Sequence, residues 1–337
     1  MRIYIIILNY NTWQDTVECV ESILKSNYDN CQIIIVDNNS LNDSVERIKE
    51  WSRGGYIVEP SNEFHDLLFP LSSKPLALQI VSEIGEYQNL EFQNNEIILI
   101  RSQSNNGFAA GNNIGIDFAK KQHDCSFIWL LNNDTIVTPE TLPVLVNSFS
   151  VNTKHNIGIL GSKLFYYDEP KILQGRGARF NPWTACIYLI DAMKNDENNY
   201  SSVEKTDYAI GASMFVSKDF IDDVGPLNES YFLYYEELDW SIRALRKGWN
   251  TYNCNISTIY HKQGKTTQTG ARYKNSKNLE IEKLKYINLI KLYRNYFPNI
   301  VVIAQFRVLA KALQTLLKMR FSESKMILSA LIESHKK

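Results

Sequence analysis

Two groups of polar residues in this chain of 337 residues have the types and spacing to do chemistry. The first is Asn132-Asn133-Asp134, which ends the apolar run from Phe127 to Leu131. An apolar run bounded by polar residues reads as a strand buried on both faces. A carboxylate at the carboxyl end of such a strand faces the crevice where open α/β sheets bind ligands. A hard oxygen ligand in that place suits Mg²⁺ or Mn²⁺ held jointly with a diphosphate. Asn-Asn-Asp also makes turns by bonding to nearby backbone, so the triplet alone leaves both readings open. The second group is Glu236, Glu237 and Asp239. A positioned carboxylate can take the proton of an attacking hydroxyl. Three acids at a helix start also complement the helix macrodipole, and Asp239 can pair with Arg243 one turn on.

The elements that must position these groups follow a repeating pattern. Residues 3–8 are a β-rich run ending in Asn9-Tyr10-Asn11-Thr12, and a helix is expected over 15–26 with Val17, Val20, Ile23 and Leu24 on one face. Ile33 to Val36 form a second strand, ending in Asp37-Asn38-Asn39-Ser40, and a helical stretch runs to about Trp51. This βαβα opening, polar at both strand ends, predicts an α/β fold with a mostly parallel central sheet and helices on both faces. Neither turn has the G-x-G-x-x-G spacing of a dinucleotide site. Residues 59–96 read as an excursion from the sheet, with one short helix near 76–87. The strand Ile97 to Ile100 leads into SNNGFAAGNNIGIDFA, where Asn106, Gly107, Gly111, Asn112, Asn113 and Gly115 mix small and amide residues before an apolar helix face. Small residues let backbone approach a bound group and amides can bond to it; close helix packing is the alternative. Strands follow at 157–166, 210–216 and 251–260, a flexible loop at 175–183, an exposed polar stretch at 196–204, and a helix at 231–248 capped by Gly248.

Composition sets outer bounds. The chain is 44% hydrophobic and 22% charged, as expected of a globular protein, with a net charge of −1 that predicts no nucleic-acid partner. The five cysteines are scattered without a C-x-x-C pair, which predicts free thiols rather than disulfides or a zinc site. No signal-peptide core and no uninterrupted apolar run of about 18 residues is present, so a cytoplasmic location without a membrane-spanning helix is expected. Charge is uneven: residues 271–337 carry 14 Lys/Arg against 4 Glu, a net of +10.

Taken in order, LNYNT, IVDNNS, NNGFAAGNNIG, LLNNDT and FLYYEELDWSIRALRKGW followed by His261 resemble the family-2 glycosyltransferases, and within them the rhamnosyltransferase-like group. The similarity covers roughly residues 3–265. It implies the GT-A fold over 1–268, a nucleotide-sugar donor, a divalent metal and inversion at the sugar carbon. Carried over by position, Asn9, Tyr10 and Asn11 line the nucleotide pocket, Asp37 accepts from the donor's base and Asn39 shapes the pocket. Asn112 and Asn113 stand where many members carry Arg-Asn facing the donor. Asn132-Asn133-Asp134 replaces a D-x-D-like motif, so Asp134 holds the metal, and Asn132 in the first place loosens that requirement. Glu236-Glu237 stands where the family has Glu-Asp, which makes Glu237 the expected base and Asp239 the next choice. His261 is a further metal or diphosphate contact.

The resemblance favours dTDP-rhamnose, with a UDP-hexose as the alternative, and a glycan or lipid-linked glycan as acceptor. A nucleotidyltransferase would also use a sheet, a metal and a diphosphate, but with a glycine-rich basic loop where this chain has LNYNT. A non-catalytic nucleotide-sugar-binding module is the other alternative. Residues 269–337 are expected to be a basic, helical C-terminal extension. Arg307, Lys311, Gln314 and Lys318 fall on one narrow helical face and apolar residues cover much of the rest, a pattern that fits either a membrane surface or the catalytic domain.

Overall fold

The computed structural model describes residues 1–82, 96–197, 199–263 and 278–334. The expected domain boundary at 268/269 lies outside them. The first half runs β1 (Arg2–Asn9), α1 (Trp13–Ile23), β2 (Cys31–Asp37), α2 (Ser44–Ser52), α3 (His65–Leu68), β3 (Leu78–Ser82), β4 (Ile97–Arg101), α4 (Gly107–Lys121), β5 (Cys125–Asn132), β6 (Thr135–Val137) and α5 (Thr141–Val151). The second runs β7 (Ile157–Tyr166), β8 (Glu169–Gly175), β9 (Ala178–Asn181), β10 (Cys186–Leu189), β11 (Val203–Thr206), β12 (Ser213–Ser217), α6 (Lys218–Val224), α7 (Glu236–Arg246), β13 (Asn250–His261), α8 (Leu279–Tyr296), α9 (Val301–Leu317) and α10 (Phe321–Ser334).

The central sheet has the order β11-β13-β7-β12-β5-β1-β2-β4-β3, parallel among β5, β1, β2, β4 and β3 and mixed beyond β5. Alternation along each central strand feeds two cores. Ile3, Ile5 and Ile7 of β1 join Phe127, Trp129 and Leu131 of β5 on one face, while Tyr4 and Ile6 join Ile128 and Leu130 on the other. Strands buried on both faces need such continuous apolar runs. The chain leaves β1 towards β2 on one side and reaches β5 on the other, so the strand order reverses between β1 and β5. A crevice opens at such a switch point beyond the carboxyl ends of the strands.

Glycine decides how closely α4 lies on this sheet. A Cβ at Gly111 would meet Leu8 Cδ1 at 2.5 Å, and one at Gly115 would meet Ile6 Cγ2 at 2.6 Å. These two glycines therefore serve helix-on-strand packing.

Several local expectations change. The helix expected near 76–87 is, over its described part, the edge strand β3, which pairs in parallel with β4; the rest of that segment lies outside the described residues. Residues 175–183 are not a flexible loop, because Arg176 is buried in ion pairs with Asp191 and Glu204 and β9 pairs with β10. The helix expected from 231 starts at Glu236, and Val203 and Glu204 of the expected exposed stretch begin strand β11.

The C-terminal helices α8, α9 and α10 pack as one unit around Leu289, Ile290, Tyr293, Ala304, Val308, Ala312, Ile327 and Ala330. Against the expectation of no membrane-spanning stretch, Pro298–Leu317 is long and apolar enough to cross a membrane by length and composition alone, with a mean hydropathy of 1.6.

Candidate active site

The crevice between β1 and β5 is closed by side chains that satisfy one another. Asn9 is buried and donates from Nδ2 to Asp37 Oδ1 at 2.7 Å, while its Oδ1 accepts from Thr16 Oγ1 at 2.8 Å. Asp37 also accepts from Ser40 Oγ at 2.6 Å and from the Ser40 backbone N–H at 3.1 Å. Asn11 and Asn39 both adopt left-handed backbone, at φ +59° and +58°, a conformation asparagine tolerates better than most residues. Asn11 Oδ1 accepts from the Leu41 N–H at 2.7 Å and its own N–H donates to Ser40 Oγ at 2.9 Å. The ends of β1 and β2 are thus stitched together, with Asn39 exposed above them and Tyr10 partly exposed beside them. Ser40, within the quoted IVDNNS run, is the hub of this network and was not singled out in the sequence.

Asn133 joins the end of β5 to α1, donating from Nδ2 to Thr12 Oγ1 at 2.8 Å and Thr16 Oγ1 at 2.9 Å. The Asn132 N–H donates to Ala212 O at 3.0 Å, which sets the start of β12 against the end of β5. Next along the chain, β6 pairs antiparallel with the end of β13. That pairing brings Asp134 and His261, far apart in sequence, to 3.1 Å between Oδ1 and Nε2, both buried. Gln174 Oε1 lies 2.8 Å from His261 Nδ1, so Nδ1 donates and Nε2 is turned to Asp134. Burial raises the Asp134 carboxyl, but His261 and then Lys262 outweigh it and hold the group below the ordinary carboxylate range. Lys262 is itself clamped by Asp15 and Glu18 of α1.

This pair fits a divalent cation. A histidine nitrogen and a carboxylate oxygen 3.1 Å apart share a proton that a cation can displace, and an outer hydrogen bond on the other imidazole nitrogen is how metal-binding histidines are oriented. No group of three or more His, Cys, Asp or Glu is placed to hold a metal among the described residues. Asp134 and His261 would hold it together with oxygens from the ligand, as Mg²⁺ and Mn²⁺ sites on diphosphates do.

Asn112 and Asn113 both have internal partners. Asn112 Nδ2 donates to Phe108 O, and Asn113 ties α4 to the segment before α7 through Leu227 and Glu229. Asn106 is exposed, and Gly107 adopts φ +94° with the Phe232 carbonyl 2.1 Å from where a Cβ would be. No other residue fits that contact, and beside it the Phe108 N–H donates to Phe232 O at 2.7 Å.

Phe232 thereby fixes the turn that carries the acids. Tyr234 and Tyr235 stand at φ +72° and +76°, a conformation that costs about 1–2 kcal/mol per bulky L-residue. Glu236 and Glu237 follow at the first turn of α7, each with Oε2 unpartnered. Glu236 is 4% exposed, and burial, then the Glu237 charge, pushes its carboxyl well above the ordinary range. Glu237 stands beside Gly211, whose added Cβ would lie 3.9 Å from its carboxyl carbon; its Oε2 is buried, and burial pushes the carboxyl up to about 7. Asp239 is fully buried and engaged by Arg243 Nε at 2.8 Å, Tyr296 Oη at 2.6 Å and Asn228 Nδ2 at 3.2 Å. It pairs with Arg243, as the helical spacing predicts, and three of its roughly four acceptor sites are taken.

Comparison with known proteins matches the architecture. A family model described as Glycosyl transferase family 2 fits residues 4–65 and 73–221. The low-salt glycan biosynthesis hexosyltransferase Agl10 of Haloferax volcanii is 29% identical over 175 residues, 50% of this chain and 52% of that protein. The chain thus spans about half the length of this curated relative. Two solved structures share the fold. The mannosyltransferase PcManGT from Pyrobaculum calidifontis, in complex with GDP-Man and Mn²⁺, superposes with a TM-score of 0.52 at 11% identity over 99% of this chain and 86% of its own. GalNAc-T7 with UDP, GalNAc and Mn²⁺ superposes with a TM-score of 0.53 at 14% identity over 77% of this chain and 44% of its own. With a GT-A sheet, a switch-point crevice and a family model covering most of the sheet, this chain belongs to glycosyl transferase family 2.

Proposed function

We propose that the chain is an inverting glycosyltransferase moving a hexose or deoxyhexose from a nucleotide-sugar donor to a hydroxyl of a growing glycan. The observation that carries this reading is Glu237, whose buried carboxyl keeps an unpartnered oxygen at the same end of the sheet as Asp37 and the Asp134–His261 pair. Asp37 and the turns after β1 and β2 bind the nucleotide. Asp134 and His261 would hold a divalent cation, which when bound would supply Lewis acidity towards the diphosphate. Glu237 takes the proton of the acceptor hydroxyl as its oxygen bonds to the anomeric carbon and the bond to the nucleoside diphosphate breaks. Attack comes from the face opposite the leaving group, so no enzyme nucleophile is required. The hexosyltransferase relative supports a hexose, while rhamnose rests on the motif resemblance alone.

The test is release of nucleoside diphosphate from a panel of UDP-, GDP- and dTDP-sugars with Mn²⁺ or Mg²⁺. Release from one sugar class, lost in Glu237→Gln, is expected. Pyrophosphate release would favour a nucleotidyltransferase, and binding without turnover a non-catalytic module.

A membrane-bound acceptor is part of the same proposal. Helix α9 presents three faces. Ala304, Val308, Ala312 and Thr315 are buried against α8 and α10. Val302, Phe306, Leu309, Leu313, Leu316 and Leu317 are exposed, Phe306 at 69% and Leu317 at 85%. Arg307, Lys311 and Lys318 form the third face, also exposed. An apolar stripe beside a basic one fits the interface of an anionic bilayer, where each basic residue near the surface contributes about 1 kcal/mol. The protein would then sit peripherally on the cytoplasmic face and extend a lipid-linked glycan. Sedimentation with phosphatidylglycerol vesicles at low salt, lost in Phe306→Ser/Leu317→Ser, is expected. Equal sedimentation of wild type and variant would overturn this part.

A further inference from the structure

The turn before Glu237 has two consecutive tyrosines in left-handed backbone, and no glycine or asparagine eases either. Something must hold them there. Across the chain, Asn288 of α8 is buried against the turn and donates from Nδ2 to Leu233 O at 2.9 Å and to Tyr234 O at 3.1 Å. Both partners are carbonyl oxygens, so only the amide nitrogen can face them and the orientation of the side chain is fixed. The same helix face adds Lys291 Nζ on Ser230 O at 2.6 Å and Tyr296 Oη on Asp239 at 2.6 Å. On its α4 side the turn meets the Phe232–Phe108 backbone bond and the close approach of Gly107, and Lys285 Nζ of α8 lies 4.7 Å from the centre of the Tyr234 ring.

We propose that Asn288 is a positioning residue for glycosyl transfer, holding the Leu233–Tyr235 turn so that Glu237 stays aimed beside Gly211. It touches no reacting atom. Its two donations occupy the carbonyls that would otherwise rotate as Tyr234 and Tyr235 relaxed to right-handed backbone. That relaxation would swing the start of α7 away from Gly211 and let water reach Glu237. The inference rests on the reading of Glu237 as the base, and the experiment separates the two.

Asn288→Ala, Asn288→Gln and Glu237→Gln are compared with wild type using the nucleotide sugar turned over in the panel, with Mn²⁺, well below the unfolding temperature of each. UDP or GDP affinity is measured by calorimetry in parallel. Asn288→Ala is expected to lower kcat by roughly ten- to a hundredfold, the scale of a misplaced group, with nucleotide affinity unchanged. The acid limb of its kcat profile should move down from the wild-type midpoint near 7, because water replaces the burial that raises Glu237 among Glu236, Tyr208 and Tyr235. Asn288→Gln, which keeps both donors on a longer arm, should recover part of the rate. Wild-type kcat and an unmoved acid limb in Asn288→Ala, with Glu237→Gln inactive, would overturn the positioning role alone. Normal turnover in Glu237→Gln would overturn the base assignment whatever Asn288 does. If Asn288→Ala does not fold, Asn288→Ser, with one short donor in place of two, is held to the same criterion.

Discussion

Asp37 and Glu237 are both acids at the carboxyl end of one sheet, yet their surroundings differ in nearly every respect. Asp37 follows directly on a strand and receives three hydrogen bonds from Asn9 and Ser40, which stand beside it in the same crevice. Glu237 follows a turn of two strained tyrosines, keeps one oxygen without a partner, and depends on groups from α4 and α8 for its place. A satisfied carboxylate is a fixed acceptor that can orient a ligand at little cost. An unsatisfied, crowded one sits where it can take a proton near neutral pH. On the proposed reading, binding and chemistry fall on two differently built sides of the site.

Variants sharpen that contrast. The largest effect is expected from Asp134→Ala, which should lower turnover by roughly 10²-fold or more, the scale of losing one stabiliser of developing charge. Rates compared across a Mn²⁺ titration check it, and wild-type turnover would remove Asp134 from the site. Asp37→Ala should weaken UDP or GDP binding roughly tenfold, about the strength of one charged hydrogen bond, while leaving kcat at saturating donor near wild type. Calorimetry reads this directly, and unchanged affinity would make Asp37 only a fastener between β1 and β2.

The smallest effect concerns stability. The Glu236 carboxyl is raised by burial and by Glu237 beside it, so the native state keeps a proton that the unfolded chain has released. Stability is then full below the unfolded carboxyl range and falls as pH rises towards the folded value. Glu236→Gln should therefore melt about 1–2 °C above wild type near pH 8 and level with it near pH 4, the usual size for about 1 kcal/mol in a chain of this length. Equal melting curves at both pH values would mean the buried acid carries no such penalty.

The two sides also differ in how far the sequence displayed them. Strands β1, β2, β5 and β7 were legible because their apolar runs and polar ends are local features. Asp37 and Asp134 were legible for the same reason. The partners of Asp134 were less so, since Gln174 reaches His261 only through the pairing of β7 with β8 and β13. Asn288 carried no local signal, because its carbonyl partners lie 54 and 55 residues away and are met only when α8 docks. Edge strand β3 is not legible as a strand because its pairing with β4, rather than its own pattern, decides its form. Arg176 carries no local sign of its burial because the acids that bury it, Asp191 and Glu204, arrive from later in the chain.

The most direct measurement is the pH dependence of kcat for donor turnover in wild type and Glu237→Gln, with nucleotide affinity followed alongside. A base must be ionised to accept a proton, so the wild-type rate should climb with pH through a midpoint near 7. Glu237→Gln should bind nucleotide normally, fall by roughly 10²-fold and lose that ascending limb. A variant that keeps both its rate and the limb would contradict the account, and the proton would have to leave through another group.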